Sequence, residues 1–213
     1  MYKKLTEEKI YEILETGIAE FASKGLDRTN INTVAKKSGV SIGVLYKYYE
    51  NKDKFFLACL RHSLMVLRRV IREAMSGEEK LLERAEKLIR AVQQSAAEHP
   101  NYNIMYNEIT AGASNKYAET LAKEIEGISS QVYIRFIAEA KAHGDIRDDI
   151  DPRMFAFFFD NLLMMLQFSY SCDYYRERFK IFCGDDVLKD DEKVVTELLK
   201  FMESAFTYQS KTM

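Results

Sequence analysis

The sequence predicts an all-α fold. A small N-terminal domain of three helices, arranged as a helix–turn–helix, precedes a larger helical C-terminal domain, with about nine helices in total. Three observations lead there. The 213 residues include only 2 prolines and 9 glycines, too few for a turn-rich β fold or for long linkers. Apolar residues recur every three or four positions along most of the chain, the period of a helix with one buried face. A hydrophobic content of 47% is enough for a substantial core in one or two domains.

The first helix carries Ile10, Ile13, Leu14, Gly17, Ile18 and Phe21 along one face. Thr6 is placed to cap it, Glu7 and Glu8 suit the positive end of its dipole, and Gly25 ends it. Two short helices are expected at 31–38 and 41–49, separated by Gly39-Val40. A long helix from Lys52 to Met75 follows, capped by Asn51 and lined by Phe56, Leu60, Leu64, Leu67 and Ile71. Ser76-Gly77-Glu78-Glu79 reads as a capping box for the next helix. That helix buries Leu81, Ala85, Leu88, Val92 and Ala96, and Pro100 ends it. A short helix at 101–111 and a long one at 114–142 come next, the latter broken by Gly144.

Asp151-Pro152 is a strong start signal, an N-cap followed by proline in the first turn. The helix it opens, 152–173, is apolar nearly all round from Met154 to Phe168, so more than one side of it must be covered. The last helix is expected at 187–208, with Val194, Val195, Leu198, Met202, Ala205 and Phe206 on its apolar face.

The net charge of −2 argues against a general nucleic-acid binder, but its distribution is uneven. Residues 22–54 hold seven basic and three acidic side chains, a net +4, which leaves −6 for the remainder. The three cysteines, Cys59, Cys172 and Cys183, are scattered and form no CxxC pair, the pattern of free thiols in a reducing, cytoplasmic compartment. The stretch 154–168 is shorter than the roughly 20 residues of a membrane span and is interrupted by Asp160, Asn161 and Gln167, so no membrane partner is expected. His62, His99 and His143 have no ligand spacing, and no nucleophile–base arrangement is visible. The reading is therefore a non-enzyme with no metal and no cofactor.

The segment Thr29–Lys52 carries the most information. Val34 and Ala35 face inward from the first short helix, and the small Ala35 lets the second cross closely. Gly39 permits a sharp turn with positive φ, Val40 plugs the corner, and Ser41 can cap the second helix. Leu45 and Tyr49 anchor that helix to the core. Gly43, Tyr46 and Lys47 share the opposite arc, a small, aromatic and basic surface suited to a major groove.

This segment closely resembles the TetR family of bacterial repressors. The matching positions are Thr29, Ala35, Gly39-Val40-Ser41, Gly43, Leu45-Tyr46, Tyr49 and Lys52, with Phe21-Ala22-Ser23-Lys24-Gly25 similar to the family's first-helix ending. Two positions depart from the pattern: Tyr49 stands where phenylalanine or another apolar residue is usual, and Ile42 where many relatives carry a polar base-reader.

The resemblance implies a DNA-binding domain at 1–51, with the helix–turn–helix at 30–49, and an effector-binding and dimerisation domain at 52–213. Ile42 and Gly43 would approach bases, and Asn32 a base edge or phosphate. Tyr46, Lys47 and Tyr48 would bind or flank phosphates, and Asn30, Ser41 and Lys52 would contact the DNA backbone. The last two long helices would pair with those of a second subunit, so the partner is double-stranded DNA bearing a palindromic operator.

Met105, Tyr106, Tyr133, Phe136, Phe158, Asn161, Leu162 and Met165 form an adaptable set for a small apolar or aromatic effector. The rival readings are a thiol-responsive regulator and a helical ligand-binding module that does not bind DNA.

Overall fold

The structure is a computed structural model that describes residues 5–77, 79–111 and 118–207. Among these residues there are ten α-helices and no strand. They are α1 (Glu7–Arg28), α2 (Ile31–Lys37), α3 (Ile42–Tyr49), α4 (Lys52–Met75), α5 (Leu81–Glu98), α6 (Pro100–Ala111), α7 (Ala118–His143), α8 (Pro152–Ser171), α9 (Asp173–Cys183) and α10 (Asp191–Thr207).

The contacts divide the chain into two compact units. The first comprises Met1–Leu67 and His99–Asn115, the second Arg68–Glu98 and Lys116–Met213. Helix α4 contributes residues to both, and α6 belongs to the first.

Most helix starts follow the expected capping chemistry. The Thr6 hydroxyl accepts from the Lys9 N–H at 3.2 Å, and Asn51 Oδ1 accepts from Lys54 N–H at 2.9 Å. Asp151 accepts from Arg153 and Met154, with Pro152 in the first turn of α8. Gly25 takes a φ of +73°, and the chain then continues one further turn to Arg28.

Three expectations are corrected. Ser76 does not cap α5. Its hydroxyl donates back to the Glu73 carbonyl at 2.8 Å, closing α4, and α5 begins only at Leu81 (Glu78 lies outside the described residues). The last helix starts at Asp191 rather than 187, because Asp190 Oδ1 accepts from Lys193 N–H at 3.0 Å and residues 187–189 form a separate 3-10 turn. Helix α9, which makes ten helices rather than nine, was not expected. None of its residues is fully buried, but Tyr175 and Phe179 are half-buried and lie against Phe168 and Tyr170 of α8, with ring centroids 5.4 Å and 6.4 Å apart.

In the first unit, Ile13, Ile18 and Phe21 of α1 pack with Phe55, Phe56, Cys59 and Leu60 of α4 around a shared core. Phe21 meets Phe56 edge to face with ring centroids 5.1 Å apart. Gly17 makes the close approach possible: a Cβ there would lie 2.5 Å from the Phe55 ring and 2.7 Å from Cys59 Sγ. The second unit is built on Leu88 and Ile89 of α5, Phe136 and Ile137 of α7, Phe159 of α8 and Met202 of α10. One polar node ties α5 to α8 and α10. Gln93 donates to the Tyr170 hydroxyl at 2.9 Å and to the Asp191 carbonyl at 3.1 Å, and Tyr170 donates to the Asp191 carboxylate at 2.9 Å.

Candidate nucleic-acid interface

Helices α2 and α3 form the helix–turn–helix, and its geometry follows from a few local choices. Val34 and Ala35 are buried on α2 and Leu45 is fully buried on α3. Gly39 takes a φ of +65° between them, which an L side chain adopts only under strain. Asn30 caps α2 by accepting from Asn32 N–H at 2.9 Å, and Ser41 caps α3 by accepting from Val44 N–H at 3.3 Å. Tyr49 turns inward against Phe55, with ring centroids 4.9 Å apart, and burial pushes its hydroxyl up to about 12.

The outward face of α3 is Gly43, Tyr46, Lys47 and Tyr48, all exposed. Gly43 has ordinary helical backbone, and a Cβ there would meet nothing closer than Ser41 Oγ at 3.9 Å. The fold therefore has no need of a glycine at 43, although glycine costs about 1 kcal/mol relative to alanine inside a helix. What it does provide is a smooth patch where an outside surface can come close. Tyr46 is 41% exposed beside it. Asn32 is exposed and Ile42 half-buried.

Besides the capping side chains of Asn30 and Ser41, Tyr48 and Lys52 of the expected set are engaged within the chain. The Tyr48 hydroxyl accepts from the Leu5 N–H at 2.7 Å, holding the start of the chain against α3. Lys52 Nζ donates to the Asp27 carbonyl at 2.8 Å, joining the first turn of α4 to the end of α1.

Glu20 was not anticipated. It is buried, and its carboxylate accepts from Lys24 at 2.7 Å and from Lys37 at 2.5 Å. These two ammonium groups hold its carboxyl below the usual range despite burial. The same clamp fixes Lys37 at the C-terminal end of α2. The signal was present in the sequence, since Glu20 follows Ile13 and Gly17 on one helical face and is a charge on an apolar stripe. Thr29 completes the α1–α2 junction by donating to the carbonyls of Gly25 (2.7 Å) and Glu20 (3.1 Å). At the α3–α4 junction Glu50 takes φ +61°, ψ −51°, and Asn51 N–H reaches the Tyr49 carbonyl at 2.6 Å, a γ-turn unusual for a residue with a side chain.

The eight residues expected to hold an effector do not gather in one unit. Met105 and Tyr106 belong to the first; Tyr133, Phe136, Phe158, Asn161, Leu162 and Met165 belong to the second. Tyr133 and Phe136 are core residues, and Phe158 is 52% exposed. The Asn161 amide donates to the Phe157 carbonyl of its own helix at 2.7 Å. Its neighbour Asp160 is the polar group of α8 that turns toward α7. Burial and the nearby Glu126 carboxylate raise Asp160 to about 6, against a hydrogen bond from Ser129. No group of three or more metal-ligating side chains is found among the described residues, and no described helix is long and apolar enough to cross a membrane.

A capped helix–turn–helix of α2 and α3, packed with α1 at the start of an all-helical chain, is the architecture of a DNA-binding transcriptional regulator. Residues 13–59 match the profile of bacterial regulatory proteins of the tetR family.

Among curated relatives, it is 29% identical over 157 residues to the nucleoid occlusion factor SlmA of Glaesserella parasuis, covering 69% of this chain and 76% of that protein. It is 25% identical over 146 residues to the probable acrEF/envCD operon repressor of Escherichia coli K12, covering 66% of each. The transcriptional regulator FadR of Bacillus subtilis, solved in complex with stearoyl-CoA, superposes with a TM-score of 0.72 at 15% identity, over 89% of this chain and 97% of that one.

Proposed function

We propose that this protein is a homodimeric repressor that binds a palindromic operator and is released from it by a small-molecule effector. The observation that carries the DNA-reading part is the outward face of α3. Gly43 there serves no need of the fold and is flanked by Tyr46 and Lys47, the side chains suited to a groove and its phosphates. In this reading residues 1–51 bind DNA, with Asn30, Asn32, Ser41, Ile42, Tyr48 and Lys52 at the margins of the contact, and residues 52–213 sense and dimerise.

The dimer reading draws on α8 and α10. Met154, Phe157 and Phe158 of α8 are exposed at 50%, 60% and 52%, and Phe201 of α10 at 59%. Large apolar side chains at this density mark a surface meant to be covered. A second copy of the same helices would cover it with twofold symmetry, and a twofold pair of recognition helices reads an inverted repeat. The E. coli relative is named an operon repressor, and the B. subtilis neighbour was solved with an acyl-CoA. The first supports repression and the second an organic ligand, and a ligand controls DNA binding by binding one of two conformations more tightly.

The thiol-responsive reading gains no support. Cys59 is fully buried, with its thiol pushed well above the ordinary value by desolvation, Cys172 is buried too, and the exposed Cys183 ends α9, far along the chain from the helix–turn–helix.

Selection of bound sequences from random duplex DNA at two salt concentrations tests the proposal. Enrichment of an inverted repeat is the expected result. Enrichment of no sequence, with weak binding lost at modest salt, would overturn the specific-repressor reading.

A further inference from the structure

Within the second unit, the end of α4 and the middle of α7 enclose a cleft of about 680 Å³. That volume lies in the range of small-molecule sites. Its lining is unusual for a chain of net charge −2: Arg68 and Arg72 on one side, Lys123 and Arg135 on the other, against the single carboxylate of Glu124.

The four cations are not equivalent. Lys123 pairs with Glu119 at 2.5 Å, and Arg135 lies 3.8 Å from Glu139. Among the described residues no carboxylate pairs with Arg68 or Arg72. These two stand one turn apart on α4, so their guanidinium groups can converge on one anionic head group. Behind them the lining turns apolar, with Ile71 buried and Ile128 and Val132 half-buried.

Gly127 lines the same cleft, and its meaning parallels that of Gly43. It is exposed in the middle of α7 with helical backbone, and a Cβ there would meet nothing within 4 Å. Neither conformation nor packing asks for glycine. Its effect is to keep open a space that any larger side chain would enter.

We propose that this cleft is the effector site and that its ligand is an amphipathic organic anion, with its carboxylate or phosphate head between Arg68 and Arg72 and its apolar part along Ile71, Ile128 and Val132. This rests on the ligand-controlled reading above and replaces a neutral apolar effector with a charged one. A ligand held there grips α4, whose first turns, from Lys52 to Leu67, lie in the same compact unit as α2 and α3.

Calorimetric titration of the full-length protein with laurate, dodecyl phosphate, dodecanol and dodecylammonium tests the proposal. Both anions should bind about tenfold or more tighter than the alcohol and the cation, and the better of the two identifies the head group. The double variant Arg68→Gln with Arg72→Gln should lose that preference. Gly127→Trp should abolish binding while leaving the thermal transition intact, since the new side chain has open space to occupy. Equal binding of dodecanol, or anion binding unchanged in both variants, would overturn the site.

Affinity for the selected operator duplex, measured in parallel, separates this proposal from the one beneath it. Tight operator binding without anion binding refutes the cleft and leaves the repressor standing. Anion binding that both variants abolish, but that never alters operator affinity, supports the cleft as a site and refutes control by its ligand.

Discussion

The exposed faces of α3 and α8 invite comparison, because both leave aromatic side chains in solvent and do so differently. On α3, Tyr46 and Tyr48 end in hydroxyls and sit with Lys47 and a glycine. On α8, Met154, Phe157 and Phe158 carry no polar atom on their side chains. The first surface keeps its hydration and can trade it for phosphate and base contacts. The second loses free energy to water until something dry covers it. Exposure alone is thus a poor guide to function, and the chemistry of the exposed tips separates a wet, charged partner from a second protein surface.

The comparison can be broken most sharply on α8. Phe157→Asp should leave the monomer folded, because the side chain is 60% exposed, yet place an uncompensated charge in a covered interface. Such a burial costs about 3–5 kcal/mol, enough to shift the protein to monomer in sedimentation velocity and to remove the preference for an inverted repeat. A dimer that persisted would show that α8 is not the covered face.

The support beneath α3 can be tested without touching its surface. Gly17→Ala forces a methyl group into the Phe55 ring and Cys59 sulfur, and should lower stability by about 1–3 kcal/mol in urea unfolding. Operator affinity per folded molecule should be unchanged.

Asp160 provides a pH test inside the second unit. Its pKa is raised from 3.8 to about 6, so the folded state resists its ionisation. Stability from this group should therefore fall as pH rises from about 4 to 6 and stay level above. Asp160→Asn should gain about 2 kcal/mol at pH 7 and nothing below pH 4, read from denaturant midpoints across that range. Equal gains at both pH values would show that the effect is not ionisation.

The smallest effect on stability carries the most information about α3. Gly43→Ala should raise stability by up to about 1 kcal/mol, because the helix gains a better former and the Cβ meets no neighbour. It should at the same time weaken operator binding in gel-shift titration. A variant that gains stability and keeps its affinity would remove the argument that this glycine is there for DNA.

The sequence by itself determined most of the helix–turn–helix. Thr6, Asn51 and Asp151 cap the helices they were expected to cap, Gly39 takes the positive φ its turn needs, and Leu45 is buried as its spacing required. These are local effects, settled within a few residues along the chain by hydrogen-bond geometry and helical period.

What needed the tertiary structure were pairings between residues far apart in sequence. Glu20 meets Lys37, and the Tyr48 hydroxyl meets Leu5, only once α1, α2 and α3 have packed. Asp160 rather than Asn161 is the polar group turned toward α7, because a rotation of 100° between successive residues of a helix sends neighbours to different environments. Helix α9 escaped the sequence reading although Tyr175 and Phe179 share a helical face, because their partners Phe168 and Tyr170 on α8 are set by tertiary packing. The basic cleft escaped for the opposite reason. Arg68 and Arg72 look like an ordinary solvated face of α4 until α7 brings Lys123, Arg135 and an unneeded glycine opposite them, and no property of either helix alone encodes that juxtaposition.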